Sequence, residues 1–205
     1  MKQAYIINGV RTAIGNFGGT LSTIRTDDLA AHVLKSLKEK NSQINFEEIG
    51  DVILGCANQA GEDNRNVARM ASLLAGYPSV VPAQTVNRLC ASGLSAAVDA
   101  ARAIQVGDEN LMVAGGVENM TRGPLVMSKA SSAFGRDQQL YDSSFGWRFI
   151  NPKLKEHYGV DSMGETAENV ASQLKINKED QDKFAFWSQQ KTAKAIANGR
   201  FEKEI

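Results

Sequence analysis

An α/β fold, with helices layered on a sheet, is the class that this sequence predicts. Short apolar stretches of strand length alternate with longer stretches of helical periodicity up to Glu118, a pattern typical of layered α/β domains. Apolar residues make up 42% and charged residues 22% of the 205 residues, as in an ordinary globular protein with a buried core. The 23 basic and 23 acidic residues balance, so no net charge attracts the chain to nucleic acid or to an anionic membrane.

Four stretches have the composition of buried strands. Each is short, mostly apolar and followed by turn residues: residues 4–10 (AYIINGV), 51–57 (DVILGCA), 83–89 (AQTVNRL) and 110–118 (NLMVAGGVE).

Helical periodicity fills the intervals between these strands. In residues 26–40, apolar side chains recur at helical spacing, with Asp27 and Asp28 in the first turn and lysines in the last, an arrangement that suits the helix dipole. Further helices are predicted for residues 66–76 and for about 92–106, where Gly107 ends the helix. Residues 164–175 and 178–199 form a last helical pair.

The pattern changes after Glu118. Residues 119–160 contain glycine, serine, proline and scattered aromatic residues but no long periodic run. We therefore predict a domain boundary near Glu118, with an α/β core domain over residues 1–118 and a second, mostly helical domain over residues 119–205. The chain does not return to the sheet, and an open sheet edge and an uncovered helix face are expected.

The location is expected to be cytoplasmic. The first residues have no continuous apolar stretch typical of a signal peptide, and no run has the length of a membrane helix. Cys56 and Cys90 lack CxxC spacing, so neither a disulfide framework nor a metal site is predicted. Free thiols in a reducing compartment are the expectation.

Cys90 stands between a predicted strand and a predicted helix. A thiol with an ordinary pKa of about 8.5 is only a few per cent thiolate at pH 7, and the N-terminus of a helix stabilises the anion. Unpaired amides there can also bind an oxyanion. The following helix is alanine-rich, with Asp99 and Arg102 spaced to pair, and we expect much of it to be buried.

The residues alone leave two interpretations of Cys90 open. It is either a nucleophile or a buried packing residue, since cysteine is among the most buried residue types. Cys56, inside an apolar strand, is expected to be structural. A nucleophilic cysteine normally needs a base, but neither His32 nor His157 is linked to Cys90 by its position in the sequence.

The stretch VNRLCASGLSA resembles the acyl-accepting cysteine motif of the thiolases, Asn-x-x-Cys-x-Ser-Gly. Other segments resemble thiolases in the same order along the whole chain, among them NGVRTAIGNFGG, MVAGGVENMTRGP and DSMGETAENVA. The stretch from Tyr141 to Ala171 is most similar to the branch that cleaves β-ketoadipyl-CoA. Two departures stand out: Ser162 precedes Met163 where many acetoacetyl-CoA thiolases have histidine, and Ala91 stands where glycine is commoner.

The resemblance implies a layered αβα fold with a mixed sheet, of which this chain is the N-terminal half, plus an inserted, mostly helical loop domain that contributes contacts to coenzyme A and between subunits. It implies retro-Claisen cleavage of a 3-ketoacyl-CoA, with Cys90 as nucleophile and its backbone N–H as an oxyanion donor. Met163 would line the acyl pocket, and Ser162 is a weaker candidate for substrate contact. Packing at a helix start is the alternative role for Met163.

Further implications concern partners and completeness. Coenzyme A is a substrate, no cofactor or metal is implied, and a homo-oligomer, dimer or tetramer, is expected. The family's catalytic histidine, in a Gly-His-Pro type motif, and its second cysteine, in a Cys-x-Gly motif, are absent from these 205 residues. The chain is therefore expected to be partial and inactive alone.

Three other functions are compatible with parts of the pattern. They are an acetoacetyl-CoA thiolase (acetyl-CoA C-acetyltransferase), a ketoacyl-synthase-like condensing enzyme, and a non-enzymatic folded module in which Cys90 is packing. The segments GGVENM and TAENVA favour a thiolase over a ketoacyl synthase.

Overall fold

The structure is a computed structural model that describes residues 2–205, and the part of the chain before Ser144 is built on a three-stranded parallel sheet. Strand β1 (Asp51–Gly55) lies between β2 (Ala83–Val86) and β3 (Met112–Gly116). Three of the four predicted strands are thus confirmed, and each ends two or three residues before its predicted end. All three strands are parallel rather than mixed, because each connection crosses over through a helix.

The strand predicted for residues 4–10 is wrong. The segment has no assigned secondary structure, and its large apolar side chains, Tyr5, Ile6 and Ile7, are solvent-exposed, with Ile6 at 96%. Just before the segment, Lys2 N–H donates to Gln105 O at 3.0 Å, but no described strand pairs with residues 4–10. An apolar stretch becomes a strand only when a neighbouring strand accepts its backbone hydrogen bonds.

Helices cover both faces of the sheet, so the αβα layering is confirmed. Side chains alternate across β1: Val52 and Leu54 pack with α1 (Thr26–Lys40) and α2 (Val67–Leu74) on one face, whereas Ile53 packs with α3 (Ser92–Val106) on the other. Helices α1 and α3 therefore lie on opposite sides of β1.

Helix α3 is buried on one side only, which corrects the expectation that much of it is buried. Four of its residues are buried, namely Ser92, Ser95, Ala96 and Ala100. Leu94, by contrast, is 70% exposed, because among residues 2–205 the sheet covers one face of the helix only. The predicted pair is present, with Asp99 and Arg102 3.9 Å apart, and Gly107 ends the helix at φ 90°.

The chain divides into two compact units, one ending at Ser144 and the other running from Phe145 to Ile205. The first unit also contains an antiparallel hairpin of β4 (Leu125–Met127) and β5 (Leu140–Asp142). The domain boundary after Glu118 stays a prediction.

The second unit contains three helices: α4 (Pro152–Tyr158), α5 (Met163–Leu174) and α6 (Lys178–Ala197). Helices α5 and α6 are confirmed, whereas α4 was not predicted because seven residues are too few to show a period. Within the described part of the chain, no helix has the length and apolarity needed to cross a membrane.

Candidate active site

Cys90 lies on an exposed turn between β2 and α3, at the edge where the parallel strands end. The packing interpretation is therefore wrong within residues 2–205, because the thiol is not enclosed by the core. The turn is sharp: Leu89 has φ 49°, a left-handed conformation that non-glycine residues seldom adopt. Ala91 follows as the N-cap of α3, without a side-chain cap.

Side chains on both sides of the turn hold it in place. The Ser92 hydroxyl accepts a hydrogen bond from Arg88 N–H at 2.8 Å and donates one to Leu89 O at 2.6 Å. The Asn87 side-chain oxygen accepts from Leu89 N–H at 2.9 Å. Backbone bonds from Ala91 N–H to Arg88 O (3.1 Å) and from Ser92 N–H to Leu89 O (3.0 Å) close the turn.

Three amides at Cys90 or within four residues of it have no hydrogen-bond partner within residues 2–205. They are the N–H groups of Cys90, Gly93 and Leu94, whereas those of Leu89, Ala91 and Ser92 are bonded. Free amides at the start of a helix can bind an anionic oxygen. The turn therefore places an accessible sulfur next to donors that could stabilise a tetrahedral intermediate formed on it.

Gly55 lets the start of α3 approach the sheet. A Cβ atom at Gly55 would lie 2.3 Å from the carbonyl carbon of Ser92 and 2.4 Å from Gly93 N, well inside van der Waals contact. At the next strand, a Cβ at Gly116 would lie 3.5 Å from the Gly93 Cα. The last residues of β1 and β3 are thus glycines where they meet the start of α3. Because they have no side chains, the Cys90 turn can lie against the sheet.

Cys56 is structural, as the sequence indicates. It is 1% exposed, and its thiol lies 3.8 Å from Asp63 Oδ2. Burial, with added repulsion from the Glu118 and Asp63 carboxylates, raises the pKa of the Cys56 thiol to about 12. The thiol is therefore protonated at neutral pH and is a poor nucleophile.

Cys56, Asp63 and Glu118 have ligand atoms within 4.8 Å of one another, as a small metal site would. Both carboxylates, however, already accept backbone hydrogen bonds. Glu118 accepts from Ala57 N–H (2.8 Å) and Asn58 N–H (3.1 Å), and Asp63 accepts from Gly61 N–H (2.9 Å). We interpret the cluster as an anchor for the loop after β1.

A catalytic base for Cys90 is not identified among residues 2–205. His32 is an exposed residue of α1, across the sheet from α3, and His157 belongs to the other compact unit. The Arg122 side chain donates to Glu62 through bonds of 2.7 and 2.5 Å. These bonds from Arg122 are the main cause of the lowered pKa of Glu62.

Met163 and Ser162 lie at the start of α5. Met163 is its first residue and is 80% exposed, so it is not a packing residue within the described part of the chain. Ser162 is the N-cap: its hydroxyl accepts from Glu165 N–H at 3.3 Å, and the Glu165 carboxylate accepts from Ser162 N–H at 2.6 Å. This capping box gives Ser162 a structural role, and substrate contact by either residue stays a prediction.

Sequence reasoning missed three residues around Cys90: Asn87, Glu118 and Gly55. Asn87 is part of the recognised motif, but its side-chain bonds follow from tertiary contacts. Glu118 ends the strand predicted for residues 110–118, and Gly55 lies two residues before the end of the strand predicted for residues 51–57; these positions were the available signal. Polar and glycine residues at the carboxyl ends of parallel strands often build sites.

Comparison with known proteins gives the same assignment along the chain. The family model described as "Thiolase, N-terminal domain" matches residues 4–205. This chain belongs to the thiolase family. It spans about half the length of the curated relatives it matches, 51% in each of the three cases that follow.

Two relatives named for β-ketoadipyl-CoA chemistry are 58% identical over the whole chain. One is the "3-oxoadipyl-CoA/3-oxo-5,6-dehydrosuberyl-CoA thiolase" of Escherichia coli (strain K12), and the other is the "Beta-ketoadipyl-CoA thiolase" of Acinetobacter baylyi. The "Acetyl-CoA acetyltransferase" of Cupriavidus necator is 40% identical over 206 aligned residues.

A solved structure has the same fold. The crystal structure of the Bacillus anthracis acetyl-CoA acetyltransferase superposes with a TM-score of 0.78 at 35% identity, covering 96% of this chain and 48% of that one. The thiolase-like α/β fold is thus confirmed for the N-terminal half.

Proposed function

We propose that this chain is the nucleophile-bearing half of a thiolase that cleaves a 3-ketoacyl-CoA, with 3-oxoadipyl-CoA as the preferred substrate. The observation that carries the proposal is the Cys90 turn, where an exposed thiol adjoins three free amides. The choice of acyl group is supported by the names of the relatives at 58% identity, since the acetyl-CoA acetyltransferase is 40% identical.

In the proposed reaction, the Cys90 thiolate attacks the keto carbon of the substrate. A sulfur–carbon bond forms, and the carbonyl electrons move onto oxygen, where the Cys90 N–H donates a hydrogen bond. The bond between the second and third carbons then breaks, and acetyl-CoA leaves after its enolate carbon is protonated. Free coenzyme A finally attacks the acyl-cysteine and releases a shortened acyl-CoA.

Proton transfer in this scheme needs groups outside the present residues. In the thiolase family, the histidine of the Gly-His-Pro motif and the second cysteine, in the Cys-x-Gly motif, are the groups that transfer these protons. We propose that a second half of the protein contributes this histidine and this cysteine. The exposed face of α3, where Leu94 is 70% exposed, is a surface that such a half would cover. The isolated chain is accordingly expected to show no thiolysis.

The test uses two proteins: the 205-residue chain alone, and the same chain fused to the part of the Acinetobacter baylyi relative that it does not match. The hybrid should consume 3-oxoadipyl-CoA and coenzyme A, form acetyl-CoA, and lose this activity on Cys90→Ser. Turnover by the isolated chain would refute the need for a second half. A hybrid that folds but cleaves neither 3-oxoadipyl-CoA nor acetoacetyl-CoA would refute the proposal.

An acetoacetyl-CoA thiolase is the second candidate, favoured by the crystal structure at 35% identity. Comparing kcat/KM for the two substrates in the hybrid separates the candidates, and faster cleavage of acetoacetyl-CoA would reverse our choice. Acyl transfer from acyl carrier protein instead of coenzyme A would indicate a ketoacyl-synthase-like enzyme.

Assembly and location are further parts of the proposal. We propose a homo-oligomer, dimer or tetramer, for the whole protein, with coenzyme A and its thioesters as partners and no cofactor. We also propose a cytoplasmic location. Light scattering of the hybrid checks the assembly.

A further inference from the structure

We propose that Asn87 is a positioning residue that fixes the direction of the free Cys90 amide by tying the turn to the end of β1. The inference rests on the proposed function, because it assigns the residue a part in acyl transfer to Cys90. Asn87 itself is not proposed to touch the substrate.

The Asn87 side chain bonds in two directions. Its oxygen accepts from Leu89 N–H at 2.9 Å, within its own turn, and its Nδ2 donates to Ala57 O at 3.0 Å, on the loop after β1. An aspartate could reproduce the first bond but not the second, because an ionised carboxylate has no donor. The amide therefore suits a link between two chain segments.

The far end of this link is itself anchored. Ala57 O accepts from Asn87, while Ala57 N–H and the following amide of Asn58 donate to the Glu118 carboxylate at 2.8 and 3.1 Å. Glu118 follows β3, so residues after all three strands are joined through this loop. The link thus fastens the Cys90 turn to the whole carboxyl edge of the sheet.

The near end controls which amide stays free. Leu89 has φ 49°, and its N–H is the group bonded by Asn87. Leucine seldom adopts this left-handed conformation. Without the bond from Asn87, Leu89 has one constraint fewer that holds it there. Rotation at Leu89 would change the direction in which the Cys90 N–H points and would shift Cys90 as a whole relative to the start of α3. Asn87 thereby acts on the oxyanion donor through the backbone.

Two reagents distinguish an effect on the oxyanion-donating amide from an effect on the accessibility of the Cys90 thiol. With p-nitrophenyl acetate, the Cys90 sulfur forms a bond to the carbonyl carbon through an oxyanion, p-nitrophenolate leaves with the electron pair of the broken carbon–oxygen bond, and the thiol proton passes to water. Iodoacetamide alkylates the same sulfur by direct displacement of iodide, with no oxyanion. The ratio of the two rate constants therefore reports the amide donor.

The experiment uses the 205-residue chain, with the Cys90→Ser background subtracted. Asn87→Ala should lower the rate of acylation by p-nitrophenyl acetate about tenfold, since removing an oxyanion donor outright costs 10²–10³ in enzymes, and should leave the iodoacetamide rate within about twofold. Asn87→Asp, which keeps the acceptor, should give an intermediate ratio. Asn110→Ala is the matched control, because Asn110 bonds the exposed Lys2 side chain at 2.9 Å.

Melting temperature and protection of Cys56 from labelling verify folding in each variant. An unchanged rate ratio in folded Asn87→Ala, or equal losses with both reagents, would overturn the inference. If Asn87→Ala fails to fold, the ratio in Asn87→Asp decides in the same way. The proposed function is tested separately by the hybrid, so an altered ratio beside an inactive hybrid would refute the thiolase reaction and retain the positioning role.

Discussion

Replacing Gly55 by alanine is expected to displace the start of α3 and with it the Cys90 turn. The added Cβ would lie 2.3 Å from the Ser92 carbonyl carbon, 2.4 Å from Gly93 N and 2.6 Å from Ser92 O. All three are backbone atoms, so no side-chain rotation can relieve the overlap. Because carbon atoms settle at about 3.5–4.0 Å, the helix must retreat by roughly 1 Å or more.

That displacement has two measurable consequences. Overpacking a tight contact typically costs about 1–3 kcal/mol, so the melting temperature of Gly55→Ala should fall by several degrees. A misplacement of about 1 Å can reduce a reaction rate on the order of 10²-fold. The acylation of Cys90 by p-nitrophenyl acetate should therefore slow by more than the stability loss explains, since the free amides move with the helix.

Gly9→Ala is the matched control, because a Cβ at Gly9 meets no atom within 4 Å. Differential scanning fluorimetry gives the melting temperatures, and p-nitrophenolate release gives the acylation rates at a temperature where both variants are folded. A Gly55→Ala protein with the melting temperature and acylation rate of Gly9→Ala would refute the close-approach argument.

Three further predictions follow from the described contacts. At pH 7, iodoacetamide should label Cys90 and spare Cys56, whose thiol is 1% exposed with its pKa raised to about 12; equal labelling by peptide mapping would contradict this. Glu62→Gln should lower the melting temperature by a few degrees at pH 7 and by much less near pH 3. The reason is that the hydrogen bond from Arg122 lowers the pKa of Glu62 in the folded protein. The ionised Glu62 side chain therefore stabilises the fold fully above the ordinary glutamate pKa, and this stabilisation is lost as the pH falls through the pKa that Glu62 has in the folded protein. Ser162→Ala should cost about 1 kcal/mol by urea unfolding because it removes the cap of α5, whereas a loss as large in Ser162→Thr would argue against capping.

Local patterns predicted most of the secondary structure. Helix α1 spans the predicted residues, and α3 begins and ends where the motif and Gly107 place it, because apolar periodicity, charges in the end turns and a glycine stop all act within the helix itself. The shorter elements were missed because they contain too few residues to show these local signals. Strands β4 and β5 have three residues each, too few to show an alternation of apolar and polar side chains. For α4, the sequence signal that could have predicted the helix was the N-cap residue Asn151 followed by Pro152.

The amino-acid sequence by itself determined that Cys90 stands at a strand-to-helix junction and that Cys56 is a core residue, since both follow from the immediate neighbours. Only the tertiary structure decided that residues 4–10 form no strand and that one face of α3 is exposed. It also decided that Asn87 is hydrogen-bonded to Ala57, and Ala57 to Glu118, so that the Cys90 turn is linked to the ends of the neighbouring strands. These features join residues up to 61 positions apart. Hydrogen bonds and packing between such distant segments exist only once the chain is folded, so no local pattern encodes them.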